Sequence, residues 1–368
     1  MHMAGEGQTG NETYVLNLAS ALRGIAGPED RFVLAATHPE AVRRAVAGDS
    51  RFAIGAVSSW SVRRLAVDLP RWCLNGGVQV AHFTYFPSPR VRCPVVVTVH
   101  DVAFLSHPEW FSPRDRLVLR AGAWLTRRRA ARLLTLSEFS REEIVRRLGV
   151  SSVRVTAIPL AAGDAFTPAG DPAASAEALA RLGIRKPYIL AVGNLQPRKN
   201  LSRLIDAFAE AKRSGGLPHT LVLAGRAQWK SHRIFRSARD AGLLDAVLFT
   251  GYVAECDLPH LYREAELFAY PSLYEGFGLP VLEAMACGTP VVASNAASIP
   301  EVAGGAAILV DPLDTAALAR ALLEAAGSPE RRRDMRERGL ARARQFSWGR
   351  AAADTYRVYR EVAGEPAA

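Results

Sequence analysis

The stretch YPSLYEGFGLPVLEAMACGTP, residues 270–290, decides the fold class of its half of the chain. An apolar run ends at its first residue, and a loop that holds Gly276 and Gly278 follows. Pro280 then stands at the first turn of a helical segment that Gly288 ends. The pattern predicts a buried strand, a glycine-bearing turn and a helix whose amino end suits an anion.

Two glutamates lie in this stretch, Glu275 in the loop and Glu283 one turn inside the predicted helix. A carboxylate beside an anion site is electrostatically unfavourable unless it binds something else, such as sugar hydroxyl groups. The alternative is an ordinary strand-to-helix turn with a capping carboxylate.

A second strand-to-helix turn has the sequence VGNLQPRKNL, residues 192–201. Asn200 is predicted to cap the helix. Arg198 and Lys199 stand at the start of a helix, where they repel each other and the positive end of the helix dipole. Their position is explained if both side chains face a diphosphate. The alternative is two solvated surface cations. Because the chain has only four lysines, we favour the diphosphate.

The first half of the chain holds two further candidates. His100 follows an apolar run, residues 95–99, so it is predicted at the carboxyl end of a strand, where it could meet a substrate. A lone histidine is as often structural. Gly10 ends a Gly-x-Gly-x-x-Gly segment, residues 5–10, which by itself is a weak dinucleotide signal.

Short runs rich in Val, Ile and Leu alternate with helical patterns along the whole chain. They are continuous rather than alternating in polarity, which is typical of parallel strands buried on both faces. The pattern predicts an α/β protein with two doubly wound, Rossmann-like domains that leave a ligand cleft at their carboxyl edges. The predicted strands are 32–36, 52–57, 78–83, 95–99, 133–136, 153–158, 188–192, 220–224, 246–249, 267–270, 290–293 and 307–310.

Composition shifts suggest the domain boundaries. Residues 1–165 form the first domain, 166–187 a linker rich in Ala, Pro, Gly and Asp, 188–345 the second domain, and 346–368 a final helix. A doubly wound domain normally opens with a central strand, yet no apolar run precedes the glycine-rich segment. We therefore expect the first strand to be missing and its sheet to be disturbed.

Composition narrows the class of protein. The 368 residues are 49% hydrophobic and 22% charged, with no bilayer-length apolar run and no signal-peptide pattern. Four scattered cysteines fit a reducing compartment. These features predict a soluble cytoplasmic protein.

The chain is strongly basic, with a formal net charge of +10 and a pI near 9.8. The excess is densest between Arg120 and Arg132. A solvated helix face and an anionic membrane surface at the inner face of a membrane are the two interpretations left open. Nucleic acid is disfavoured because no aromatic residues interleave with the arginines.

The motifs together resemble the retaining glycosyltransferases of the GT-B fold, family four, over essentially the whole chain. The resemblance rests on the two glutamates eight residues apart in 275–292, on PRKNL (197–201), on TVHD (98–101) and on LSEFS (136–140). Segments 7–14 and 100–111 are similar to those of bacterial mannosyltransferases of surface polysaccharide assembly.

The resemblance implies a role for each candidate residue. Arg198 and Lys199 would bind the donor diphosphate, and Glu275 would lie beside the donor sugar. Glu283 would hold the ribose hydroxyls, and His100 would contact the sugar near its anomeric carbon. The remaining donor-binding candidates are Gly10, Gly193, Gly276, Phe277, Gly278 and Leu279.

The same resemblance implies an enzyme without cofactor or metal. Its donor would be a nucleotide-sugar, with GDP-mannose as the first choice and a UDP-sugar as the second. Its acceptor would be a saccharide or polyprenyl-linked sugar bound by the first domain, and the final helix would return to that domain. The alternatives are an epimerase or phosphorylase of the same fold and a non-catalytic sugar-nucleotide-binding member of a polysaccharide assembly complex.

Overall fold

The computed structural model describes residues 9–46, 48–228 and 231–364, and the chain divides into two compact units. The first unit comprises Met1–Leu160 with Ser347–Ala368, and the second comprises Ala161–Phe346. The segment 166–187, expected to be a linker, lies within the second unit.

The first unit alternates strands and helices. Its strands are β1 (Phe32–Ala36), β2 (Phe52–Ala56), β3 (Ala81–Thr84), β4 (Val95–Thr98), β5 (Ala130–Thr135) and β6 (Val155–Ala157). Its helices are α1 (Thr9–Ile25), α2 (Pro39–Val46), α3 (Ser61–Arg63), α4 (Leu69–Asn75), α5 (Ala103–Ser106), α6 (Pro113–Arg129) and α7 (Glu138–Leu148). A π-helical turn, Arg64–Asp68, joins α3 to α4.

The strands of the first unit form two separate parallel sheets. One sheet pairs β1 with β2, and the other has the order β3-β4-β5-β6. Within the part of the chain that the structure describes, β1 and β3 therefore each have one unpaired edge. The single doubly wound sheet expected for this domain is interrupted between β1 and β3.

The second unit holds a six-stranded parallel sheet of order β12-β11-β10-β7-β8-β9. Its strands are β7 (Tyr188–Val192), β8 (Thr220–Ala224), β9 (Val247–Gly251), β10 (Leu267–Tyr270), β11 (Val291–Ser294) and β12 (Ile308–Val310). Its helices are α8 (Pro172–Arg181), α9 (Leu201–Gly215), α10 (His232–Asp240), α11 (Leu258–Glu264), α12 (Leu279–Ala286), α13 (Ile299–Ala303), α14 (Thr315–Gly327) and α15 (Pro329–Ala343).

Helix α9 illustrates how the second unit is held together. Leu201, Leu204, Ile205 and Phe208 recur at helical spacing and are buried against the sheet. Each fully buried side chain of this size stabilises the fold by about 2 kcal/mol. The turn that carries the candidate cations at the start of this helix is thereby attached to a rigid core.

The final helix, α16 (Trp348–Ala363), packs on the first unit. Ala351 and Val358 join the core beside β4 and β5. The Tyr359 hydroxyl lies 2.6 Å from Nδ1 of His82, and the Tyr356 hydroxyl donates to Asp30 at 2.8 Å. Among the described residues, no helix is long and apolar enough to cross a membrane.

Candidate active site

Two glycines lie where adjacent strands of the second unit end. Gly193 follows β7 and Gly225 follows β8, with φ angles of +142° and +157°. A Cβ on Gly225 would lie 2.1 Å from the Gly193 carbonyl oxygen, and one on Gly193 would lie 3.0 Å from Cε of Lys199. This edge therefore needs glycine at both positions. Gly193 is among the predicted site residues and Gly225 is not, although both glycines directly follow an apolar strand.

The loop that follows β10 brings its glutamate to the two cations of the β7–α9 turn. Lys199 Nζ donates to Glu275 Oε1 at 2.7 Å, and Arg198 Nη1 lies 3.5 Å from Glu275 Oε2. The Ser272 hydroxyl donates to the same carboxylate at 2.5 Å. The Lys199 ammonium also donates to the Tyr270 hydroxyl at 2.6 Å. Segments 70 residues apart in sequence thus build one charged cluster.

The charge state of this cluster follows from its burial and its partners. Burial alone would raise the pKa of Glu275, whose residue is 6% exposed. The charges of Arg198 and Lys199 and the hydrogen bonds from Lys199 and Ser272 outweigh burial and lower that pKa to about 2. Glu275 is therefore ionised at neutral pH. It is a counter-ion of both cations, a role that the sequence analysis does not assign to it.

The backbone of the same loop is held from a third segment. The Ser298 hydroxyl donates to the carbonyl oxygens of Glu275 and Phe277, at 2.9 and 2.8 Å. Gly278 has a φ of +103°, and a Cβ there would lie 2.6 Å from Cδ1 of Ile299. The loop is thus fixed before α12 begins. Nothing in the sequence pattern singles out Ser298.

The side chains of two predicted donor-binding residues belong to the core. Phe277 is 4% exposed and packs edge-on against Phe346 with ring centroids 5.9 Å apart, and Leu279 is 9% exposed. Only their backbone groups remain for a ligand, as for Gly276 in the same loop. The structure brings these three residues together with Glu275.

Asn200 does not cap α9 as predicted. It has a left-handed backbone with φ +57°, and its side chain makes no capping hydrogen bond. Its amide instead donates to the carbonyl oxygens of Pro271 and Pro312, at 3.1 and 2.6 Å. The amide therefore ties the cation turn to the loop after β10.

Glu283 lies inside α12 and is 7% exposed. The Tyr262 hydroxyl donates to its Oε2 at 2.9 Å. Burial raises the pKa of Glu283 to about 7, against the Tyr262 hydrogen bond. A carboxylate poised near neutral pH can accept hydrogen bonds from ligand hydroxyl groups.

The first unit holds the other two candidates. His100 follows β4, is 8% exposed, and lies between the rings of Tyr14 and Tyr85 at centroid distances of 5.1 and 5.2 Å. Burial lowers its pKa to about 4, and its Nε2 has no hydrogen-bond partner among the described residues. A neutral imidazole with an unsatisfied nitrogen is suited to a ligand. Gly10 lies exposed at the start of α1; residues 5–8 of its motif are outside the described residues.

The basic region of the first unit is only partly available to a partner. Arg129 and Arg132 donate to the carbonyl oxygens of Val91 and Val153. The exposed face of α6 combines apolar and basic side chains. Its apolar members are Leu117, Val118 and Trp124, at 72%, 54% and 56% exposed. Its exposed arginines are Arg114, Arg120, Arg127, Arg128 and Arg129.

The chain is similar to known proteins over most of its length. Residues 9–161 match Glycosyltransferase Family 4, and residues 176–342 match Glycosyl transferases group 1. The O-antigen chain mannosyltransferase B of Escherichia coli is 35% identical over 283 residues, which cover 76% of this chain and 74% of that protein. The chain therefore belongs to the group 1, family 4 glycosyltransferases and is a glycosyltransferase.

A second relative is longer than this chain. The serotype-specific mannosyltransferase WbdA of Escherichia coli is 28% identical over 338 residues, or 90% of this chain. The matched region is 41% of the length of WbdA.

Solved structures agree on the fold. Anabaena HepE, crystallised with UDP and glucose, superposes with a TM-score of 0.75 at 20% identity over 96% of each chain. A glycosyltransferase from Rickettsia africae superposes with a TM-score of 0.73 at 15% identity over 96% of this chain and 95% of that one. At these identities the likeness concerns the fold alone, which is the GT-B fold with two Rossmann-like units.

Proposed function

We propose that this glycosyltransferase moves a hexosyl group from a nucleotide-diphosphate donor to a saccharide or polyprenyl-linked acceptor, with retention of anomeric configuration. The observation that carries the proposal is the cluster of Arg198, Lys199 and Glu275 at the carboxyl edge of the second sheet. Two cations and one ionised carboxylate leave a net positive charge there. That charge favours an anionic leaving group in a site of low exposure.

The proposed reaction needs no side chain of the protein to act as a general base. The bond between the anomeric carbon and the diphosphate oxygen breaks, the acceptor oxygen bonds to the same carbon from the same face, and the acceptor proton passes to the departing diphosphate. Arg198 and Lys199 stabilise the charge that develops on the diphosphate. In the first unit, His100 is neutral and unsatisfied at Nε2, which suits it to form a hydrogen bond with a bound sugar.

The donor that we propose is GDP-mannose, and the product a growing surface polysaccharide. The support is the 35% identity to a mannosyltransferase of O-antigen chains. Glu283 would accept hydrogen bonds from the ribose hydroxyls, most strongly above about pH 7, where its carboxyl group is ionised.

Titration calorimetry with GDP, UDP, ADP and their sugars tests the donor. Binding of GDP and GDP-mannose alone supports the proposal, whereas binding of UDP-sugars alone keeps the mechanism and replaces the mannose. Proton NMR of the product then reports the anomeric configuration. An inverted product contradicts retention, and no binding of any nucleotide favours the non-catalytic alternative.

We propose that the transfer needs no divalent metal, because Arg198 and Lys199 would supply the positive charge that the departing diphosphate needs. Turnover measured with excess EDTA should equal turnover with added Mg²⁺. A loss of activity in EDTA that Mg²⁺ restores would contradict this assignment.

We also propose that the exposed face of α6 lies on an anionic membrane surface. Trp124 and Leu117 provide the apolar contact, and Arg128, which stacks 4.4 Å over the Trp124 ring, supplies charge at the same place. A face that mixes large apolar and basic side chains is typical of peripheral membrane contact.

Flotation with liposomes containing phosphatidylglycerol tests this surface. The substitutions Trp124→Ser and Arg128→Glu should together abolish flotation and leave donor binding unchanged. The matched control is Arg333→Glu, an exposed arginine of the second unit. If the α6 variant and the Arg333→Glu control float equally, or if the unaltered protein does not float at all, the α6 face is an ordinary solvated surface.

A further inference from the structure

Four polar side chains form a continuous hydrogen-bonded network through the interior of the first unit. The Tyr359 hydroxyl on α16 lies 2.6 Å from Nδ1 of His82 on β3, and Nε2 of the same ring lies 2.7 Å from the hydroxyl of Thr98, the last residue of β4. The Thr98 hydroxyl is 2.9 Å from that of Tyr14 on α1. We name these four side chains the Thr98 network. It links the first and the last helix that the structure describes.

The Thr98 network ends against the candidate histidine. The Tyr14 ring meets the His100 ring edge-on with centroids 5.1 Å apart, and the Tyr85 ring lies 5.2 Å from the same imidazole. His100 Nε2 makes no hydrogen bond to a described residue. Packing against the two tyrosine rings therefore contributes to the orientation of the imidazole. The hydroxyl of one of these tyrosines, Tyr14, belongs to the network.

Burial makes the arrangement of this network specific. Thr98 is fully buried and Tyr14 is 4% exposed. Burial lowers the pKa of His82 to about 3 and raises that of Tyr14 to about 12, so both are uncharged at neutral pH. A neutral imidazole offers one donor and one acceptor nitrogen, which matches the two hydroxyl groups beside it. Because breaking any link leaves an unpaired polar group in the core, the network holds its side chains in one arrangement.

We propose that Thr98 and His82 are positioning residues for His100. They act through the ring of Tyr14, whose hydroxyl the network holds, and Tyr359 ties helix α16 to the same task. With its hydroxyl end fixed, the Tyr14 ring limits the orientations that are open to the imidazole beside it. Helix α16 thus contributes to the candidate site as well as to the core. The inference rests on the proposed role of His100 toward a bound sugar.

Helix α16 itself offers a matched control. The Tyr356 hydroxyl donates to Asp30 at 2.8 Å, and neither residue belongs to the Thr98 network. Tyr356→Phe and Tyr359→Phe therefore each remove one hydrogen-bonded hydroxyl from the same helix. Only the second of these substitutions breaks the network.

Turnover tests the positioning role. The kcat/KM for release of GDP from GDP-mannose should fall about tenfold in Thr98→Val, because the histidine is no longer held in place. Thr98→Ser keeps the hydroxyl and should stay within about twofold of the unaltered protein. In the background of His100→Ala, Thr98→Val should cause no further loss, because its effect passes through the histidine.

The same measurements separate the failure of this inference from the failure of the proposed role of His100. If His100→Ala is as active as the unaltered protein, both fail. If His100→Ala is impaired and Thr98→Val is not, only the positioning role fails. A loss in Thr98→Val that adds in full to the loss in His100→Ala would mean that Thr98 acts on the fold and not on the histidine, which also overturns the inference.

NMR of isotope-labelled histidine tests the same network without turnover. The imidazole signals of His100 are assigned by their loss in His100→Ala. Tyr359→Phe should shift these signals, because the network transmits the change to the Tyr14 ring, whereas Tyr356→Phe should leave them in place. Unchanged His100 signals in Tyr359→Phe, or equal shifts in the two tyrosine variants, would contradict the positioning role.

Discussion

Lys199 and Glu275 form a buried ion pair that joins two strand-to-helix turns of the second unit. Nζ of the lysine lies 2.7 Å from Oε1 of the glutamate, and the side chains are 11% and 9% exposed. Arg198 lies farther from this carboxylate, at 3.5 Å, so Lys199 is its closer cationic partner. A change at this pair should therefore affect both the stability of the fold and donor binding, because the same lysine is the candidate ligand of the diphosphate.

Replacing Lys199 by Ala should lower the free energy of unfolding by about 3 to 5 kcal/mol, because the buried charge of Glu275 would lose its closer cationic partner and keep Arg198 at 3.5 Å and the Ser272 hydroxyl. Adding Glu275→Gln should restore much of that stability without restoring activity. Urea unfolding of the two single variants and the double variant gives the coupling energy. Additive losses would show that the pair does not act as a unit.

Replacing Arg198 by Ala should lower kcat/KM by roughly 100- to 1,000-fold, because one preorganised cation facing the leaving group is lost. Stability should change little, since Lys199 still pairs with Glu275. Steady-state kinetics with GDP-mannose measure the effect, and Arg333→Ala is the surface control. Activity at the level of the control would exclude Arg198 from the phosphate site.

Glu283 should make the protein less stable as pH rises. Its pKa is about 7 when folded and near 4.5 when unfolded, so between these values the unfolded state releases a proton that the folded state keeps. The free energy of unfolding is unaffected below about pH 4.5 and reduced by about 3 kcal/mol above pH 7.

The substitution Glu283→Gln removes this titration. The variant should melt higher than the unaltered protein at about pH 8.5 and equally at about pH 4.5. Calorimetric affinity for the donor should fall at both values if the carboxylate holds the ribose. Parallel melting curves at the two pH values would mean that Glu283 is ionised in both states.

Gly225→Ala should destabilise the second unit strongly, because its Cβ would lie 2.1 Å from the Gly193 carbonyl oxygen at a φ of +157°. We expect Tm to fall by several degrees and donor affinity to fall with it, since Gly193 adjoins Lys199. Gly327→Ala is the control, because a Cβ there meets nothing within 4 Å and needs no unusual φ. Equal melting of both variants would contradict the close approach.

Much of the fold was predictable from local sequence. Short apolar runs of four to six residues located every strand that the structure describes, because parallel strands buried on both faces need continuous hydrophobic residues. The Gly-bearing turn and Pro280 likewise fixed the start of α12. These are properties of neighbouring residues, which a sequence displays directly.

The charged residues of the candidate site could be predicted from the sequence, but the contacts between them could not. Arg198, Lys199 and Glu275 stood out by type and position, yet their pairing joins residues more than 70 apart. Asn200 was assigned to a helix cap because that is its local preference, and the structure uses it to bridge two loops instead. Ser298 carries no local signal at all.

The alternation of strands and helices and the residue types at the strand ends could be read from the sequence, because both depend on hydrophobic patterning and backbone chemistry over a few residues. Only the tertiary structure decided that Glu275 is ionised against two cations while Glu283 stays near its midpoint. Both are buried carboxylates, and what separates their pKa values is which charged groups the fold places within a few ångströms.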